Sequence, residues 1–122
     1  MVLSEILGWN VRRHPEKTAI VFGKQRYSYR LLLERVNRLA NALLSLGVKH
    51  GDRIGIMSEN NPQHIEALFA VGKLGGILVE IGVRSSNKEV LHVINKTTPK
   101  VMIVSRKCAE QISSMLDEGV MG

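Results

Sequence analysis

The sequence predicts an α/β fold: a partial doubly wound, mostly parallel sheet with flanking helices, preceded by a β-hairpin. Three near-continuous apolar runs, IGIMS at 54–58, ILVEI at 77–81 and KVMIV at 100–104, lack the in–out alternation of a half-exposed strand and read as strands covered on both faces. Between them lie segments whose apolar residues recur at the three- and four-residue steps of a helix face. Alternation of the two demands crossover connections and hence parallel pairing.

Taken in order, Leu3, Ile6, Leu7 and Val11 define a first helix over 3–13, with Ser4 as its cap and Trp9 as an anchor; Pro15 ends it by disfavouring helix at His14. Runs at 18–22 and 25–29 flank Gly23-Lys24, where glycine can take the positive φ of a tight turn, and predict the hairpin. Leu32, Val36, Leu39, Leu43 and Leu46 then mark an amphipathic helix closed by Gly47. After the first core strand, Asn60 or Asn61 caps a helix with Pro62 at its start, whose face is continued by Ile65, Leu68, Phe69 and Gly72. Gly75 and Gly76 close that helix. After the second strand, Ser86 and Glu89 have the spacing of a capping box, and Val90, Leu91, Val93 and Ile94 supply the stripe of a further helix. Thr97-Thr98-Pro99 break the chain before the third strand, and Ser105 caps a last helix through about Leu116. Three parallel strands are few, and both outer edges await a neighbour.

At 122 residues, 44% of them hydrophobic and 23% charged, the chain fits one domain able to bury a core and is not of disordered composition. No apolar run approaches the roughly 20 residues of a membrane helix. Glu5 and the absence of a basic start argue against a signal peptide, and the lone Cys108 allows no internal disulfide or cysteine cluster, so the expected compartment is the cytoplasm. The net charge of +6 reads as a solvated basic surface, since aromatics at 4% offer no stacking platform for nucleic acid.

Neither G-x-G-x-x-G nor G-x-x-x-x-G-K-[ST] occurs. The sequence GKLGG at 72–76 precedes a strand, so its amides lie at a helix C-terminus, whose partial negative charge repels phosphate. These glycines are read as a cap. His14, His50, His64 and His92 lack the spacing of a zinc site; His64 and His92 are expected at partly exposed helix positions. Cys108 reads as a packing residue, Asp52-Arg53 as a turn with a cap or salt bridge, and Glu80 as a strand-end carboxylate that must reach water or a cation.

RYSYRLLLERVNRLANAL, GVKHGDRIGIMSENNP and KLGGILVEIGVR together resemble the N-terminal stretch of the AMP-forming adenylating enzymes, the superfamily of acyl-CoA synthetases, luciferases and peptide-synthetase adenylation domains; the likeness covers about residues 3–117. The resemblance implies a piece of the large N-terminal domain of enzymes that join a carboxylate to ATP, releasing pyrophosphate, and in the acid–CoA ligases pass the acyl group to CoA. It implies ATP, magnesium and CoA for the full-length enzyme. The Ser/Thr/Gly-rich phosphate loop, the ribose-binding acid and the catalytic lysine of that chemistry are absent from these 122 residues. The expectation is therefore a single incomplete module, residues 1–122, catalytically silent alone, binding none of these molecules tightly, in a ligase for a fatty or aryl acid. Its partner is the remainder of the synthetase chain or, if the module stands alone for binding or oligomerisation, a second copy; no nucleic acid and no membrane span is expected. The family's V-P-x-N-P-R reads here Val79-Glu80-Ile81-Gly82-Val83-Arg84, with both prolines replaced. Arg84 remains, and the resemblance implies a contact from it to a CoA phosphate, which its fixed charged fork suits.

Overall fold

The structure, a computed structural model, describes residues 3–59 and 61–117. In chain order the elements are α1 (Leu3–Arg13), β1 (Thr18–Phe22), β2 (Gln25–Ser28), α2 (Tyr29–Ser45), β3 (Arg53–Met57), α3 (Pro62–Lys73), β4 (Ile77–Glu80), α4 (Asn87–Thr97), β5 (Val101–Val104) and α5 (Arg106–Asp117). β1 and β2 form an antiparallel hairpin, turning at Gly23 with φ 60°, and β4-β3-β5 form a separate parallel sheet. The predicted α/β class and hairpin are what the chain adopts.

Strand parity explains the two-sided cover. Ile54 aligns with Leu78 and Val101 in neighbouring strands, and with Ile103 these residues pack on Leu43 of α2 and Val71 of α3. Residues one step out of phase face the other way: Met57, Met102 and Val104 pack with Val90 of α4 and with Cys108, Ile112 and Met115 of α5. Gly55 belongs to this second face, and a Cβ there would run into the Met102 side chain, so the missing side chain is the space Met102 occupies. A third cluster seats α1, through Leu7, on Leu32, Val36 and Ala40 of α2 and Ala70 of α3.

Two predicted helix faces are corrected. On α3 the buried residues are Pro62, Glu66, Ala67, Ala70 and Val71, while Leu68 is 42% exposed. The close approach of α2 to α3 favours alanine at the contact, so the face lies to one side of the larger apolar residues that suggested it. Trp9 does not anchor α1: it is 49% exposed with Arg13 stacked on its ring at 4.7 Å, and Leu7, 2% exposed, makes the anchor. The side chains of Leu3, Ser4, Ile6 and Leu116, and all of Asn60, lie outside the described residues; Asn61 is the cap of α3, its Oδ1 accepting from His64 N at 3.0 Å.

Gly75 closes α3 at φ 70°, and a Cβ on it would also strike the His50 ring, so glycine is required there on two grounds. α4 begins with the predicted box: Glu89 N donates to Ser86 Oγ at 3.2 Å and Ser86 N to Glu89 Oε1 at 3.0 Å. The bond from the Ser86 amide holds the Glu89 carboxyl below its ordinary value. A lowered folded value means a contribution present above the usual carboxylate range and lost as pH falls through the folded value. Glu89→Gln keeps an acceptor but no titration, so the acid-side fall in unfolding midpoint is expected to be shallower in this variant; parallel pH profiles would remove the box from the account.

Candidate functional site

In open parallel sheets ligands sit beyond the carboxyl ends of the strands, where neighbouring connections leave in opposite directions. Here β3 leads to β4 on one side, and β4 leads across to β5 on the other. Two crevices open at that end and share Ser58 and Glu59. One, of about 550 Å³, lies between the ends of β3 and β5 and is lined among others by Asn61, Ser105, Arg106 and Lys107. The other, of about 430 Å³, lies toward β4 and is lined by His64 and by Glu80 through Val83.

Local backbone chemistry positions these groups. Ser105 N donates to Met57 O at 3.0 Å, extending the β3–β5 ladder by one rung, and Ser105 O then receives the first amides of α5 from Cys108 and Ala109. The Ser105 hydroxyl is thereby free to donate to Glu59 Oε1 at 3.1 Å, bridging the two strand ends. Arg106 and Lys107 follow in the exposed first turn of α5, where cations sit against the unfavourable end of the helix dipole and are available to an anion.

On the β4 side, His64 Nε2 lies 2.6 Å from Glu80 Oε1. An ionised carboxylate only accepts, so Nε2 is the donor of this pair, while His64 Nδ1 is buried without a partner among the described residues. The half-buried histidine and the strand-end carboxylate expected from sequence are both found, and they meet each other. Asp52 likewise serves its turn, accepting from Lys49 N at 2.7 Å, and Cys108 is buried in the α4–α5 cluster.

Arg84 is exposed in the turn between β4 and α4, two residues before the Ser86 cap, and lines neither crevice. Glu59, Ser105, Arg106 and Lys107 were not singled out as site residues by sequence; the signal that finds them is their position just after apolar parallel strands. Among the described residues no three His, Cys, Asp or Glu side chains converge as a ready-made metal site.

The sequence pattern of the family described as AMP-binding enzyme matches residues 7–120. A feruloyl-CoA synthase of Amycolatopsis sp is 34% identical over 110 residues, covering 88% of this chain and 22% of that protein. A 4-hydroxybutyrate–CoA ligase 2 of Metallosphaera sedula is 32% identical over 103 residues, 84% of this chain and 19% of that protein. The fold superposes on the fatty acyl CoA synthetase of Mycobacterium tuberculosis with a TM-score of 0.88 at 25% identity, covering 93% of this chain and 23% of that one. The chain thus spans about a fifth of the length of the curated relatives it matches.

Proposed function

Because this chain belongs to the AMP-binding enzyme family, we propose that it is the N-terminal structural portion of an ATP-dependent acid–CoA ligase, one incomplete module over residues 1–122 that works in the cytoplasm together with the remainder of a synthetase. The observation that carries this reading is the match over 7–120 combined with a sheet whose ligand-binding end is open while both outer strands, β4 and β5, lack a further neighbour among the described residues. The ligase makes a carboxylate electrophilic by giving it AMP as leaving group and then transfers the acyl group to the CoA thiol. ATP and CoA are substrates of that whole enzyme, and a fatty or aryl acid is the third, in keeping with the names of the relatives. Magnesium would accompany ATP in that whole enzyme.

The residues present scaffold this reaction. Their share is the open crevice end of the sheet and one cation, Arg84, toward a CoA phosphate. Incubated with ATP, CoA and ferulate, 4-hydroxybutyrate or a long-chain fatty acid, the chain is expected to release no pyrophosphate; acid-dependent release would overturn the scaffold reading. CoA is expected to bind only weakly, with a Kd of roughly millimolar order, and Arg84→Gln to weaken it about ten-fold, the value of one charge-assisted hydrogen bond. Identical CoA titrations for both proteins would remove Arg84 from the site. The same open strand edges favour a second reading, a stand-alone module that pairs with its own copy, and light scattering distinguishes it by a discrete dimer.

A further inference from the structure

The segment that leaves β4 departs from the motif it resembles: V-P-x-N-P-R has its first proline where this chain has Glu80 and its second where it has Val83. Proline at a strand end fixes its own φ and keeps the residue before it extended. At Glu80 the chain carries a different restraint.

Along β4, Ile77 N donates to Asp52 O and Ile81 N to Ile56 O, so the odd-numbered amides turn to β3. The Glu80 amide turns the other way, to the outer edge of the sheet, and makes no rung with β3. Its side chain does the fastening instead. Glu80 has the parity of Leu78, which packs in the cluster that holds Val71 of α3, and it reaches the first turn of that same helix, where His64 Nε2 lies 2.6 Å from Glu80 Oε1. An exposed ion pair ordinarily contributes little, because two long side chains must give up their freedom for it. Here one partner is already placed. The His64 side chain is 22% exposed with Nδ1 buried, and its backbone amide is held by the Asn61 cap, which leaves Glu80, 62% exposed, as the group to be ordered.

Beyond the pair, Ile81 is buried and makes the last rung to β3, Gly82 to Arg84 are exposed, and Ser85 is tied back to Gly82 O and to Gln111 of α5. The contact therefore stands one residue before the rung at which β4 would fray.

We propose that His64 and Glu80 form a latch that keeps the end of β4 on β3, doing by side-chain contact what proline does by covalent restriction, and so steady the wall of the β4-side crevice from Ile81 to Val83. The two devices are of one size. An exposed pair shifts an opening equilibrium by up to about five-fold, and a proline at a compatible site by about two- to five-fold. The latch involves these residues alone, whatever the whole enzyme binds, so it stands or falls apart from the scaffold reading.

Native-state amide exchange on the whole chain reads the latch at Ile81, with Ser105, whose amide makes the last rung on the other flank of β3, as internal control. In His64→Ala and in Glu80→Ala the Ile81 amide is expected to exchange about three- to five-fold faster, with Ser105 unchanged. The double alanine variant should be no faster than the faster single one, because removing either partner already opens the latch. Glu80→Pro in the His64→Ala background should bring Ile81 back to within about two-fold of the parent rate, since the amide lost makes no rung. The proposal is overturned by an unchanged Ile81 rate in either alanine variant, by losses that add in the double variant, or by Ser105 accelerating as much as Ile81. A His64→Ala/Glu80→Pro chain that unfolds, or in which Ile81 still exchanges fast, overturns the equivalence with proline.

Discussion

Arg35→Ala is expected to lower the unfolding free energy by about 3 kcal/mol, because it leaves a buried carboxylate without its counter-charge. Glu66 is 6% exposed on the α3 face turned to α2, and Arg35 Nε donates to its Oε1. The same bond raises the Arg35 guanidinium above its ordinary value. A third of the Arg35 side chain remains exposed, which places the cost toward the lower end of the range for buried pairs. The loss belongs to desolvation and not to a generous pair energy, so replacing both partners should be far milder: Arg35→Met/Glu66→Leu is expected within about 1 kcal/mol of the parent, since apolar groups of similar size need no partner. Urea unfolding of the three variants decides it. A single variant as stable as the parent would mean that water reaches Glu66 and that the pair does not hold α2 to α3.

Met57→Ala is expected to cost about 3 kcal/mol, with Met57→Leu under about 1.5 kcal/mol. Met57 is fully buried and packs with Ile81, Val90, Cys108, Ile112 and Met115, which come from the β4 loop, α4 and α5. On that face β3 has only this apolar side chain to give, because its other residues there are Gly55 and the exposed Arg53, which donates to Thr97 O at the end of α4. A truncation at Met57 therefore leaves a hole that its own strand cannot refill, and α4 and α5 should loosen first. Amide exchange on α4 and α5 accelerating ahead of α1–α3 is the expected pattern. A loss below about 1 kcal/mol would show that the second face collapses to fill the space.

Elements whose signal is local were legible in the sequence. The Ser86–Glu89 box, Pro62 behind its asparagine and the glycines at 47 and 75 each reside within a few residues, and each is found where the pattern put it. What escaped depends on distant neighbours. Leu68 marked the wrong side of α3 because the buried side is made by alanines that only the approach of α2 explains. Trp9 looked like an anchor by size, yet the space below α1 is filled by Leu7. The contact of Ser105 with Glu59 joins residues 46 positions apart, and that of His64 with Glu80 bridges a helix and a strand, so no short motif encodes either. Arg84 was visible only through resemblance, because an exposed arginine in a turn carries no local signal of its own.

The strand order β4-β3-β5 also has a consequence in time. A chain emerging from the ribosome presents β3 first, then β4, and only after α4 the strand that must occupy the other flank of β3. Until Val101 arrives beside Ile54, the central strand has a bare edge and Met57 lacks α5 above it. Arrested nascent chains ending shortly after Pro99 should therefore resist protease poorly and recruit chaperones, and those extended past Met115 should not.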